Sequence, residues 1–220
     1  MLRSLNDVRI VLASKSPRRR DILNRLGLSF ECIGVTTFSE NLDKSTFSSA
    51  SAYAMETAAR KNGEIVEKVL KEGTGIDTIV LAADTVVVSS DGTILEKPAD
   101  EKSAIEMLSK LSGSTCRVVT GVAIALLLRR SEQAIEKRRF HESTDLIIDD
   151  LDRSIIETYV KTGEGVDKAG GLAYQGLGGA LVRSINGCYY NVVGLPLNRL
   201  VKELRAVARV RQHVLETTSK

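Results

Sequence analysis

Apolar residues in this chain fall into two kinds of pattern. Short β-branched runs alternate with longer stretches that place an apolar residue every three or four positions. The first run, residues 8–13, predicts a buried strand. It leads into Ser16-Pro17, a helix start: serine is a favoured N-cap, and proline suits the first helical position because its missing N–H would go unpaired there anyway. Ile22, Leu23 and Leu26 form the stripe of that helix, which stops near Gly27. Residues 30–35 alternate loosely and predict a second strand. Residues 36–51 are polar and read as a long loop holding Phe38-Ser39-Glu40, and loops of that length are usually functional or disordered. The Ala-rich stretch 51–71 predicts a long helix, weakened at Gly63 and ended by Gly73 and Gly75.

The strongest strand signal is residues 77–90, turned by Asp91-Gly92 into a short return strand at 93–95. Lys97-Pro98 stops it. Asp100 caps a helix with Ile105, Leu108 and Leu111 as its stripe, ended by Ser112-Gly113. Residues 116–128 predict a long strand, 129–139 a charged and exposed excursion, and 144–148 a strand. Residues 154–161 predict a short helix with Ile155, Ile156 and Tyr159 on one side. Residues 163–179 hold seven of the 17 glycines, a density that means tight turns and close backbone approach. Strands are predicted at 181–185 and 189–193. A C-terminal helix opens at Leu195-Pro196-Leu197, with Leu200, Leu204, Val207 and Val210 as its stripe. Alternating strands and helices, broken by a hairpin and by paired late strands, give an α/β fold with a mixed sheet.

Composition narrows the class. The 220 residues can bury a sizeable core; they are 43% hydrophobic and 27% charged, as soluble globular proteins are. A net charge of +3, an aromatic content of 4% and the lack of tryptophan argue against a nucleic-acid binder. The three cysteines, Cys32, Cys116 and Cys188, are far apart and form no C-x-x-C, which fits reduced thiols rather than a disulfide frame or a zinc site. No apolar run is long enough to span a bilayer and no signal-peptide h-region is present, so a soluble, cytoplasmic protein without a membrane partner is expected.

Two features point to chemistry. Asp84 sits among apolar strand residues, where a carboxylate is costly unless it is paired, binds metal or does work. The other reading is an aspartate at a bulge, satisfied by backbone N–H groups. At the first helix, Arg18, Arg19 and Arg20 occupy the turn where Asp or Glu normally complements the dipole. Guanidinium groups beside free backbone N–H groups suit an anion, phosphate above all, although an isolated S-P-R-R-R can equally be a solvated basic turn. Glu40 on its loop, Lys61 among alanines and Lys97 at a strand end would complete a site for divalent metal and phosphate. Singly, each is more often a surface charge. Gln175, in the glycine-rich segment, could read a base edge, since an amide both donates and accepts. Asp167-Lys168 reads as a local pair or a substrate contact.

In their order, LASKSPRRRDILNRLGL, FSE, AARKNGE, LAADTVVV, EKP, VVTGVAI, GEGVDKAGG and GCYYNVVGLPL resemble the Maf family of nucleotide pyrophosphatases (septum-formation-inhibitor-like proteins). The resemblance implies one domain over residues 1–220, with a core of about 9–205 and a C-terminal helix tail to about 213. It implies an α/β fold of the Maf/inosine-triphosphatase kind, with a central mixed, twisted sheet flanked by helices and two lobes with a deep cleft. The implied reaction is hydrolysis of a nucleoside triphosphate to the monophosphate and pyrophosphate, with Mg²⁺ or Mn²⁺ held by Glu40 and Asp84. Asp84, Glu40, Lys61 and Lys97 are then the catalytic set, with Ser16, Arg19 and Lys168 on the substrate. The family's specificity positions fall on Arg18, Thr85 and Gln175, as in the branch acting on dTTP, UTP and modified pyrimidine nucleotides. The 7-methyl-GTP branch has Gln where Thr85 stands. A homodimer is also implied. Departures are Cys116 in place of a common His, Asn62 after Lys61, longer segments at 63–77 and 129–142, and Gly-Leu-Ala-Tyr before Gln175. A nucleotide-binding or regulatory module that has lost catalysis is the competing class.

Overall fold

The computed structural model describes residues 2–38, 42–73, 75–129 and 131–218. The first apolar run becomes β1 (Arg9–Leu12). Ser16 caps α1 (Pro17–Asn24), its hydroxyl accepting the Arg19 N–H. Only two residues of the expected second strand pair, as β2 (Glu31–Cys32), because β1 offers just Val11 and Leu12 as partners. The long helix α2 (Ala50–Glu72) buries Ala54, Ala58, Lys61, Ile65 and Val69 at spacings of three and four, and Gly63 does not interrupt it. β3 (Thr78–Val88) turns at Gly92 (φ +85°) into β4 (Ile94–Leu95), as the Asp-Gly signal predicts. Asp100 and Ser103 cap each other's backbone N–H groups at the start of α3 (Glu101–Leu111).

The second half departs from the hydrophobic pattern in several places. β5 (Thr115–Leu127) is followed not by an excursion but by β6 (Glu136–Ile148), an antiparallel partner along nearly its whole length. Arg138 and Arg139 are strand residues whose charges meet Glu203 at 2.7 Å and Glu56 at 3.1 Å. Ion pairs thus do on β6 what apolar residues do on its neighbours, and hydropathy alone misses it. In α4 (Arg153–Lys161), Ile156 and Tyr159 are buried, but Ile155 points to solvent. After β7 (Val182–Asn186), the expected strand at 189–193 is instead a short helix, α5 (Tyr189–Val193), closed by Gly194 at φ +117°. α6 (Leu197–Thr218) is the last described element. No described helix is long and apolar enough to cross a membrane.

Among the described residues the strands form one seven-stranded mixed sheet in the order β2-β1-β3-β5-β6-β7, with β4 also on β3. β1 is parallel to β2 and β3; the remaining pairs are antiparallel. β5 occupies one edge of β3 from Thr78 to Val88. The other edge is shared: β1 pairs as far as Leu81, and β4 only from Val87. Between them, residues 82–86 of β3 have no strand beside them, because the chain leaves β1 at Ala13 to enter α1.

The core divides at the same place. Ile79, Leu81, Ala83, Val122 and Ile124 pack with α1 and α6 on one side of the sheet, while Val80, Ala82 and Ala125 pack under α2 on the other. Farther along the strands, Val87, Val118 and Leu146 pack with α3 and α4. Asp84, Thr85, Thr120 and Gly121 lie at the seam and belong to none of these clusters. This seam separates the two lobes that the family resemblance implies.

Candidate functional site

A cleft of about 960 Å³ opens on the gap in the β3 edge. That volume is at the upper end for small-molecule sites. Because successive strand residues point to opposite faces, Asp84 and Thr85 aim to opposite sides of the sheet, yet the missing neighbour lets both line one cleft. Ser16, Arg18 and Arg19 of the α1 start, Lys61 of α2, and Lys97, Lys168 and Gln175 line it too. Every candidate site residue within the described chain is therefore brought to one place. Glu40, the remaining candidate, lies outside the described residues.

Asp84 and Lys61 form the centre of the wall. Lys61 Nζ donates to Asp84 Oδ1 at 2.8 Å, and both residues are buried, at 6% and 8% exposure. Burying an ion pair seldom adds stability over apolar packing, so such a pair beside a cleft marks function more than architecture. Helix α2 lies close enough to provide Lys61 because β5 has glycine opposite Asp84. A Cβ at Gly121 would come within 2.4 Å of the Ala54 and Met55 backbone. Asn62, next in α2, donates to the carbonyls of Val80 (2.8 Å) and Ala123 (3.3 Å), fastening the helix to β3 and β5.

Arg19 is fixed on three sides. Its Nε donates to the Gly194 carbonyl at 2.9 Å, Nη2 to Thr85 Oγ1 at 3.1 Å and Nη1 to Ser14 Oγ at 3.4 Å. Arg18 is half-buried and approaches Asp167 at 3.9 Å. Lys168 pairs with Asp167, while burial, reinforced by the charges of Arg18 and Lys97, holds its ammonium down at about 8. Lys97 and Gln175 are exposed at the cleft wall, and Arg20 lies outside the lining. A helix N-terminus, two arginines and two lysines converging on one cleft form a site for a polyanion.

The carboxylates of the lining are Asp84, Glu96, Glu164 and Asp167, with no histidine or thiolate. Such a hard oxygen set fits Mg²⁺ or Mn²⁺ rather than zinc. No group of three or more His, Cys, Asp or Glu side chains able to hold an ion is found among the described residues.

Several contributors were not legible in the sequence. Glu96 accepts the Tyr53 hydroxyl at 2.6 Å and pairs with Lys44. Glu64 gathers the backbone N–H groups of Thr36, Thr37 and Phe38; burial pushes its carboxyl up, but these bonds bring it down to about 2. Both look like ordinary surface glutamates on their elements, and only the tertiary fold reveals their partners. Cys116, at the position of a common family histidine, is buried in the cluster with Val87 and Leu108, with its thiol pushed up to about 11 by burial. It packs in the core and does not line the cleft.

The model of the family described as Maf-like protein matches residues 9–207. A human protein named "Probable bifunctional dTTP/UTP pyrophosphatase/methyltransferase protein" is 43% identical over 197 residues, which are 89% of this chain and 31% of that protein. The chain thus spans about a third of that relative's length. A dTTP/UTP pyrophosphatase of Clostridium perfringens is 39% identical over 199 residues, covering 90% of this chain and 96% of its own. One from Ruminiclostridium cellulolyticum is 41% identical over 191 residues, covering 87% and 92%.

Proposed function

The chain belongs to the Maf-like protein family, and from that premise we propose that it hydrolyses nucleoside triphosphates to the monophosphate and pyrophosphate, with dTTP and UTP as preferred substrates. The observation that carries this reading is the buried Lys61–Asp84 pair set into a cleft whose remaining lining holds more cations (Lys15, Arg18, Arg19, Lys97, Lys168) than carboxylates (Glu96, Glu164, Asp167). In this reading the triphosphate lies along the α1 start, held by Ser16, Arg18, Arg19, Lys97 and Lys168. Lys61 holds and orients the Asp84 carboxyl group. Asp84 takes a proton from a water whose oxygen attacks the α-phosphorus, and the bridging oxygen departs with pyrophosphate. Arg19, Lys97 and Lys168 stabilise the charge that grows on the leaving group. Asp84 and Glu40 would hold Mg²⁺ or Mn²⁺, which when bound neutralises phosphate charge and polarises the reacting P–O bond. Arg18, Thr85 and Gln175 select the nucleotide.

The test is pyrophosphate release over a panel of dNTPs, NTPs and 7-methyl-GTP, with and without a chelator. Release from dTTP and UTP above the others, lost on chelation, is expected. Release from 7-methyl-GTP alone would move the chain to the other branch, and binding without release would make it a nucleotide-binding module. A homodimer and a cytoplasmic setting accompany this proposal; light scattering checks the first.

A further inference from the structure

Thr120 is fully buried on β5, opposite Thr85 in the ladder. Its hydroxyl lies 2.9 Å from Thr85 Oγ1 and 3.1 Å from the Asn191 carbonyl oxygen. Thr85 Oγ1 also receives Arg19 Nη2 at 3.1 Å. Each hydroxyl has one proton to give. The Asn191 carbonyl can only accept, so the Thr120 proton goes to it. The alternative would set two lone pairs against each other at 3.1 Å on a hydroxyl that is fully buried. Thr120 must then accept from Thr85, which commits the single Thr85 proton. Arg19 can only donate. The chain of bonds therefore has one direction, from Arg19 to Thr85 to Thr120 to the Asn191 carbonyl. Any further group that meets Thr85 Oγ1 from the cleft has to be a donor.

We propose that Thr120 is a positioning residue that fixes Thr85 as an acceptor, and that this polarity selects nucleobases with a ring imide N–H, uracil and thymine, over cytosine. The ring nitrogen of cytosine at that place is itself an acceptor. The inference rests on Thr85 being a nucleotide-selecting residue, as in the preceding section. It adds a reason for the selection that the identity of Thr85 alone does not provide, since a free hydroxyl could turn and serve either base. Sites built to hydrogen-bond a substrate group discriminate strongly, because the wrong partner leaves a buried polar atom unpaired.

Thr120→Val keeps the shape of the side chain and removes its hydroxyl, releasing the Thr85 proton to donate to cytosine. The experiment measures kcat/KM for UTP and CTP and, in parallel, Kd for their α,β-methylene analogues, which report preference even without turnover. The UTP-over-CTP ratio is expected to fall by about three- to tenfold in Thr120→Val, the scale of one hydrogen bond, and to keep its wild-type value in Thr120→Ser. An unchanged ratio in Thr120→Val overturns the inference, as does a wild-type protein that does not prefer the UTP analogue. A preference in binding that Thr120→Val abolishes, in a protein that releases no pyrophosphate, sustains the inference and defeats the hydrolase reading. Should Thr120→Val fail to fold, Thr85→Ala decides: weaker UTP-analogue binding with CTP-analogue binding unchanged supports the inference, and equal losses overturn it.

Discussion

Asp84 is the residue on which the proposed hydrolysis turns. In sequence it is an oddity, a carboxylate inside an apolar run; in the fold it is paired with Lys61 at the wall of a cleft. Asp84→Asn preserves the shape and can still accept from Lys61, but it cannot take a proton. Turnover is expected to fall by about two to four orders of magnitude, with the melting temperature within a few degrees of wild type. Lys168 gives a pH signature. Its pKa is lowered to about 8, chiefly by burial and then by Arg18 and Lys97. A lowered lysine pKa means the charge is present below pH 8 and is lost above it, where an ordinary lysine would still be protonated. Nucleotide affinity should therefore weaken as pH rises through about 8, seen as a rise in KM. Lys168→Arg, which stays charged, should flatten that rise. A wild-type KM that stays level from pH 7 to 9 would remove Lys168 from the phosphate grip.

At the scale of elements, the close approach of α2 to β5 brings Lys61 to Asp84. Gly121→Ala would drive a methyl into the Ala54 backbone. It is expected to cost about 3 kcal/mol in urea unfolding and to lower turnover as the helix moves off. Gly63→Ala, on the same helix with nothing within 4 Å, should instead stabilise by roughly 0.5–1 kcal/mol. Elements whose role is apolar packing were legible from the sequence: β1, α1, α2, β3 with its hairpin, α3 and β5. The second half of β6 was legible, as the strand at 144–148, but its first half was not, because charged residues held by ion pairs occupy both of its faces there, as Arg138 is by Glu203 and Arg139 by Glu56. α5 was not either. Tyr-Tyr-Asn-Val-Val favours a strand locally, but Asn191 is buried and donates to Val118 and Thr144 across the fold. That helix turn also offers the carbonyls of Asn191 and Gly194 to Thr120 and Arg19. The site candidates were legible as residue types and motif order. Their partners depend on contacts between distant parts of the chain, which periodicity does not encode.

For the whole molecule, one interruption in the sheet organises the rest. β1 ends early and β4 begins late, so the centre of β3 is open along one edge, at the seam between the core clusters. Cations from α1, from the strand end at Lys97 and from the glycine-rich segment surround that opening, and the one buried ion pair in its wall is Lys61–Asp84 among the described residues. The central claim is that this arrangement directs water to the α-phosphorus of a nucleoside triphosphate. It is tested most directly by running the reaction with UTP in ¹⁸O-labelled water and weighing the products by mass spectrometry. Attack at the α-phosphorus places one ¹⁸O in the UMP phosphate and none in the pyrophosphate. Label in pyrophosphate, or release of orthophosphate and UDP, would contradict it.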